Sequence, residues 1–172
     1  IDPEKIISMY GSDTARWFML SDSPPDRDLE WTDSGIGSSY KFINKIWRLV
    51  NEIIAAEESE YNNLNDDNLN EHLNTAIVKI SKNIEDFHFN KSVANVYELI
   101  NTTQKFIEEK SVSKNNLLSF FKKLALLIHP FVPHLSEEIW KELKLQGLAI
   151  NQSWPKISSE IKTLESNIAV QI

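Results

Sequence analysis

The basic side chains Lys41, Lys45 and Arg48 give this sequence its clearest sign of chemistry. At about 100° per residue they fall at roughly 0°, 40° and 340° on a helical wheel, so they form one stripe. Five apolar residues of the same helix fall at about 140° to 240°, so the stripe is expected to face solvent. They are Ile43, Ile46, Trp47, Val50 and Ile54. Three cations along a helix suit a phosphate backbone, which they position without reading bases. The alternative is an ordinary solvated helix face.

Acidic and histidine side chains form a second set of candidates, but their spacing does not favour catalysis or metal binding. Asp26, Asp28 and Glu30 lie on a proline-containing loop, where carboxylates are usually solvated or cap a helix. His129 and His134 flank a turn and lack an evident third ligand, so corner packing is expected. With four glycines, neither a Walker loop nor a dinucleotide fingerprint can be built. We therefore expect no catalytic, cofactor or metal site.

The composition narrows the class of protein. The 172 residues, 41% of them hydrophobic, are enough for one domain with a core. A formal charge of -7 argues against a generic nucleic-acid binder, so any RNA contact must be local. The sequence has no apolar run of about 18 residues, no signal peptide pattern and no cysteine. These features fit a cytoplasmic protein without membrane contact.

Helix-start and helix-stop residues position the basic stripe within a run of helices. Asp2-Pro3 predicts a short helix ending near Gly11, and Ser12 or Asp13 caps a second helix through Leu20. Thr32-Asp33 begins a long helix to about Glu58, and polar residues 61–70 form a linker. The expected apolar residues of this long helix are Ile36, Tyr40, Ile43, Trp47, Val50 and Ile54.

Three more amphipathic helices and a short last one complete the predicted body. Their expected core residues are Leu69, Leu73, Ala76, Ile77, Ile80, Ile84 and Phe87, then Val93, Val96, Tyr97, Ile100 and Ile107, then much of the surface from Lys114 to Ile128. Asn90 is the predicted N-cap of the second of these helices, and Gly147 the C-cap of a last helix ending near Leu145. The predicted fold is an all-α antiparallel helix bundle preceded by a short helical segment.

The two ends of the chain predict that it is part of a longer protein. The chain starts with isoleucine and helix-start residues, and residues 168–172 alternate like the first strand of a following domain. If the first 35 residues pack on a missing domain, Trp17, Phe18 and Leu20 are expected to be exposed. The remaining tryptophans, Trp31, Trp47, Trp140 and Trp154, are expected in core or rim positions rather than stacked on bases.

Two groups of motifs carry a family resemblance. The first runs from Asp2-Pro3-Glu4 and Tyr10-Gly11-Ser12-Asp13-Thr14-Ala15-Arg16 to Ser23-Pro24-Pro25, Asp28-Leu29-Glu30-Trp31 and Ser34-Gly35. It resembles bacterial leucyl-tRNA synthetases just after their Lys-Met-Ser-Lys-Ser loop. The second, His129-Pro130-Phe131-Val132-Pro133-His134 through Trp140 with Trp154-Pro155, resembles the anticodon-binding bundle of the wider class I family, including the valyl, isoleucyl and methionyl enzymes.

The resemblance implies a parent enzyme that activates leucine with ATP and Mg²⁺ and transfers it to tRNA-Leu. It implies a stem-contact segment at residues 1–31, a helical bundle at 32–157, and a linker with the start of a C-terminal domain at 158–172. The chain lacks the signature loop and nucleotide-binding core, so no ATP, leucine or zinc site is expected in it.

The implied partners are tRNA-Leu and the catalytic domain of the same, monomeric protein. The implied tRNA-binding residues are Lys41, Lys45, Arg48 and, on the stem-contact helix, Arg16. For Arg16 the alternative is a structural ion pair with Asp13 or a loop carboxylate. Since leucyl enzymes often do not read the anticodon, backbone and shape contacts are expected. The alternative functions are a helical scaffold for another protein or domain, or the corresponding domain of a valyl, isoleucyl or methionyl relative.

Overall fold

The computed structural model describes residues 2–21, 27–28 and 30–157, and these residues form helices and connecting turns without a strand. The helices are α1 (Pro3–Tyr10), α2 (Ser12–Ser21), α3 (Asp33–Ala55), α4 (Asp66–Glu85), α5 (Phe89–Glu108), α6 (Lys114–Ile128) and α7 (Pro133–Glu142). The predicted all-α fold is confirmed. The expected strand at 168–172 and the Ser23-Pro24-Pro25 part of the connector lie outside the described residues.

Polar side chains start several helices where the sequence predicted them. The Asp2 carboxylate accepts a 3.0 Å hydrogen bond from the Glu4 N–H at the start of α1. The Thr32 hydroxyl accepts a 3.2 Å bond from the Gly35 N–H at the start of α3. Such bonds satisfy N–H groups that have no partner within the helix. The prediction for α5 was wrong, because this helix begins at Phe89, before Asn90.

Left-handed residues other than glycine end three of the helices. Phe87, Lys110 and Lys144 have φ values of 58°, 51° and 55° and follow α4, α5 and α7. In each case the N–H of the next residue reaches back across the last turn. These bonds join His88 to Asn83, Ser111 to Phe106 and Leu145 to Trp140. This pattern is the Schellman motif, in which glycine usually takes the left-handed position.

Two predictions about helix ends were therefore wrong. Lys144, not Gly147, takes the left-handed position after α7, which ends at Glu142 rather than Leu145. Phe87 lies beyond α4 instead of on its apolar face, and 66% of its surface is exposed. The left-handed backbone directs this side chain out of the bundle, where its ring makes an edge contact with Phe89.

A single core joins α2 to the bundle through Trp17. This side chain is fully buried, and its ring lies 5.5 Å from Phe42 of α3. Its Nε1–H donates a 3.1 Å hydrogen bond to the Tyr97 hydroxyl on α5. Phe18 is also buried. The expectation that Trp17 and Phe18 would be exposed was wrong, because α2 fills the space between α3 and α5.

The buried face of α3 is rotated from the predicted one. Its core residues are Ile36, Ser39, Phe42, Ile46, Leu49, Val50 and Ile53. Tyr40, which the sequence placed in the core, is 42% exposed. The rotation follows from α2, which packs beside α3 and draws Phe42 inward against Trp17 and Tyr97. It also moves Lys45 towards the edge of the packed surface, where it is partly buried.

Candidate nucleic-acid interface

The three predicted basic residues lie together in an open groove between α3 and α5. The groove is lined by Tyr40, Lys41, Asn44, Lys45, Arg48 and Gln104. Helices α3 and α5 run in the same direction, since Phe42 contacts Tyr97 and, one turn later, Lys45 bonds Asn101. Lys41, Lys45 and Arg48 follow one side of this groove over about 10 Å, at a rise of about 1.5 Å per residue.

Lys45 is held in place at the centre of the groove. Its Nζ donates a 2.8 Å hydrogen bond to Oδ1 of Asn101. Burial lowers the pKa of Lys45, and the nearby charge of Arg48 lowers it further, whereas Glu108 acts in the opposite direction. The ammonium group is therefore oriented by a neutral amide and lies close to another cation, an arrangement that an added anion would stabilise.

The groove carries positive charge that its surroundings offset only in part, through the negative charge of Glu108 near Lys45. Over residues 2–21, 27–28 and 30–157, no ion pair involves Lys41, Lys45 or Arg48. Neutral amides complete the lining: Asn44 donates to the Tyr40 carbonyl, and Gln104 donates to Glu108. Cations beside amides can bind phosphate oxygens and ribose hydroxyls without identifying a base.

Arg16 lies elsewhere and has structural partners. Its Nε donates to the Phe131 carbonyl at 3.2 Å, and its terminal nitrogen donates to the Pro130 carbonyl at 2.7 Å. The predicted ion pair with Asp13 was wrong, because the Asp13 carboxylate accepts backbone N–H bonds from His134 and Leu135 instead. The role of Arg16 in tRNA binding stays a prediction.

The two histidine candidates also have structural partners, whereas the acidic candidates that the structure describes are exposed. His129 contacts Glu137 at 3.3 Å, and His134 contacts Asp13 at 3.1 Å. Asp28 and Glu30 are exposed, and Asp26 lies outside the described residues. In the part of the chain that the structure describes, no three His, Asp or Glu side chains form a group that could hold a metal. None of its helices is both long and apolar enough to cross a membrane.

The sequence analysis did not predict that residues of α5 form one side of the groove. Tyr97, Asn101, Gln104 and Glu108 follow one another at intervals of four, three and four residues, which places them on one helix face. This spacing could have identified a polar stripe facing the cations. It gave no indication that α3 would be the neighbouring helix.

The fold is that of a helical domain that accompanies a tRNA ligase. Residues 66–172 match the family described as the anticodon-binding domain of tRNA ligase, and the chain belongs to this family. Its relatives are leucine–tRNA ligases. The protein from Fusobacterium nucleatum is 36% identical over the whole chain, which covers 21% of that relative. The protein from Rhizorhabdus wittichii is 40% identical over the whole chain, which covers 19% of it.

A solved structure shows the same fold. It is the ternary complex of the Agrobacterium radiobacter K84 agnB2 LeuRS with tRNA and LeuAMS, with a TM-score of 0.81 and 25% sequence identity. The similarity covers 91% of this chain and 21% of that chain. The chain thus spans about a fifth of the length of these relatives. The basic residues on α3 precede the family match but lie within the alignments to the whole ligases.

Proposed function

We propose that this chain is the tRNA-binding helical domain of a leucine–tRNA ligase. The whole protein joins leucine to tRNA-Leu in a reaction that consumes ATP with Mg²⁺, and it works as a cytoplasmic monomer. The chain itself is noncatalytic and holds the RNA. The observation that carries this proposal is the groove in which Lys41, Lys45 and Arg48 gather and form no ion pair with the other described residues.

The groove supports binding through the RNA backbone rather than through base identity. Cations attract phosphates at any sequence, and the release of counterions makes this attraction depend on salt. The chain as a whole carries a charge of -7, so the rest of its surface repels RNA and favours contact at the groove. Recognition of tRNA-Leu through this domain therefore depends on shape and on backbone position.

The test measures tRNA-Leu binding to the whole ligase by filter binding between about 50 and 200 mM salt. Changing Lys41→Ala together with Lys45→Ala should weaken binding and lower the slope of log affinity against log salt by about 2. The matched control is Lys79→Ala with Lys82→Ala, which removes two exposed charges from α4 outside the groove. Equal affinity and slope in the groove variant and the unmodified ligase would contradict the proposal.

A second surface favours contact with the catalytic domain of the same protein. Ile7, Met9 and Met19, on α1 and α2, are each about half exposed although they are large and apolar. Large apolar side chains left exposed on neighbouring helices favour a contact with another domain. Changing Met9→Ser together with Met19→Ser should lower leucine transfer by the whole ligase more than tRNA affinity. A fall in tRNA affinity alone would contradict this contact.

A further inference from the structure

Tyr40 lies in the cationic groove with much of its ring open to solvent. The side chain is 42% exposed and immediately precedes Lys41 at the start of the basic stripe. Its ring lies 5.8 Å from that of Tyr10, with an interplanar angle of 70°. The edge contact places Tyr40 against α1 while the side chain stays partly open to solvent.

The neighbours of Tyr40 point to an RNA ligand. Asn44, one turn later, donates a 2.8 Å hydrogen bond to the Tyr40 carbonyl and lines the same groove. Lys41 and Lys45 also line this groove. An aromatic ring beside a row of cations is the combination that binds unpaired nucleotides, because the cations hold the phosphates while a base stacks on the ring.

We propose that Tyr40 is a stacking platform for an unpaired nucleotide of the tRNA whose backbone lies along Lys41, Lys45 and Arg48. This inference rests on the proposed function of the groove and adds a contact to a base. Stacking tolerates any base, since every base has a flat π face. The platform therefore selects RNA with an unpaired nucleotide at this point over continuous duplex, without selecting a sequence.

The competing role for Tyr40 is packing of α1 against α3. Helix α1 contributes no buried residue of its own, and the pair Tyr10–Tyr40 is one of its contacts with α3. A purely structural role predicts that loss of either tyrosine has the same effect on RNA binding. A stacking role predicts that only the loss of Tyr40 matters.

The experiment uses the whole ligase with two RNA probes, a tRNA-Leu transcript and a fully paired RNA duplex of similar length. Tyr40→Leu should weaken transcript binding about five-fold or more while changing duplex binding less than about two-fold. Tyr40→Phe, which keeps the ring, should bind like the unmodified ligase. Because the ring is uncharged, the salt slope should stay the same in both variants.

Two further variants separate the competing roles. Tyr10→Leu removes the packing partner but keeps the platform, and Phe87→Leu removes an exposed aromatic ring outside the groove. Both should bind the transcript like the unmodified ligase. Unchanged transcript binding in Tyr40→Leu would overturn the platform, as would equal losses for both RNAs or for both tyrosine variants. If Lys41→Ala with Lys45→Ala still weakens binding, the proposed function stands although the platform fails.

Discussion

The guanidinium of Arg16 donates a 2.7 Å hydrogen bond to the carbonyl of Pro130, 114 residues further along the chain. One turn earlier in α2, the Asp13 carboxylate accepts a 2.7 Å bond from the N–H of Leu135. A single turn of α2 thus binds the carbonyls that follow α6 and the N–H groups that begin α7. The two sequence motifs that carry the family resemblance are therefore in direct contact. We call this contact, between α2 and the corner that joins α6 to α7, the joint.

Loss of the Asp13 carboxylate should destabilise the chain. Asp13 is buried and satisfies N–H groups of both His134 and Leu135. Asp13→Ala leaves these groups without their acceptor, so the free energy of unfolding should fall by about 2 kcal/mol in urea titrations. The control is Asp2→Ala, which removes an exposed cap with one bond and should cost about 1 kcal/mol or less. An equal loss of unfolding free energy in the two variants would contradict a stabilising role for the hydrogen bonds of Asp13.

Gly35 should tolerate no side chain, in contrast to Gly37 two residues later. A Cβ atom at Gly35 would lie 2.5 Å from Cε2 of Phe18 and 2.7 Å from Oγ1 of Thr32. Since Phe18 is buried, Gly35→Ala should destabilise the chain by about 1 to 3 kcal/mol.

Gly37 provides the control within the same helix. A Cβ there meets no atom within 4 Å, so Gly37→Ala should stabilise α3 by up to about 1 kcal/mol. Thermal unfolding of the two variants should shift in opposite directions. The same direction of shift in both would show that Phe18 does not restrict this turn.

A glycine at position 144 should stabilise the end of α7. Lys144 is exposed, and its φ of 55° is costly for a residue with a Cβ atom. Lys144→Gly should raise the free energy of unfolding by about 1 kcal/mol, measured by urea titration. Lys144→Ala removes the same charge but keeps the Cβ, so it should give no such gain. A gain of the same size in both variants would assign the effect to charge.

The helix-forming regions could be predicted from the sequence because capping residues and apolar spacing are local properties. Asp2, Thr32 and the Lys114–Ile128 pattern each describe their own helix, and the structure agrees with all three. Helix ends at Phe87 and Lys144 could not be predicted, since residues other than glycine occupy the left-handed position there. The backbone hydrogen bonds of the Schellman motif stabilise that conformation. Because these bonds do not involve side chains, the residue types do not indicate them.

The candidate groove was only half predictable. One helical wheel placed Lys41, Lys45 and Arg48 on one face, but a wheel does not show which helix lies beside that face. The contact of Lys45 with Asn101 depends on how α2 separates α3 from α5. The burial of Trp17 and the exposure of Tyr40 could not be predicted for the same reason, because both depend on how the helices pack against one another.

Low pH should destabilise the folded chain, in part because Glu137 becomes protonated. Partial burial alone would raise the pKa of this carboxyl, but the N–H groups of Ala149 and Ile150 and the ring of His129 lower it below its ordinary value of 4.5. Between the lowered pKa and 4.5 the unfolded chain binds more protons, so stability rises with pH there. The contribution is complete above that window and is lost as the pH falls through the folded pKa.

Thermal unfolding measured from about pH 6 to pH 3 tests this prediction. Glu137→Gln should flatten the loss of stability in acid, since the amide does not titrate in this range. Glu138→Gln is the control, because Glu138 is exposed and pairs only with Lys141 among the ion pairs of the described residues. If the unfolding temperature of Glu137→Gln falls with pH as it does in the unmodified chain, Glu137 is not the cause of the loss of stability in acid.

The joint between α2 and the corner after α6 also governs when the chain can fold during its synthesis. Arg16 leaves the ribosome well before Pro130, and the 114 residues between them take roughly 6 to 23 s at about 5 to 20 residues per second. During that interval Trp17 lacks Phe131, one of the rings that later surround it. Helix α2 therefore completes its packing only after the corner that follows α6 has been made, and a nascent chain that pauses before this corner leaves the rings around Trp17 incomplete.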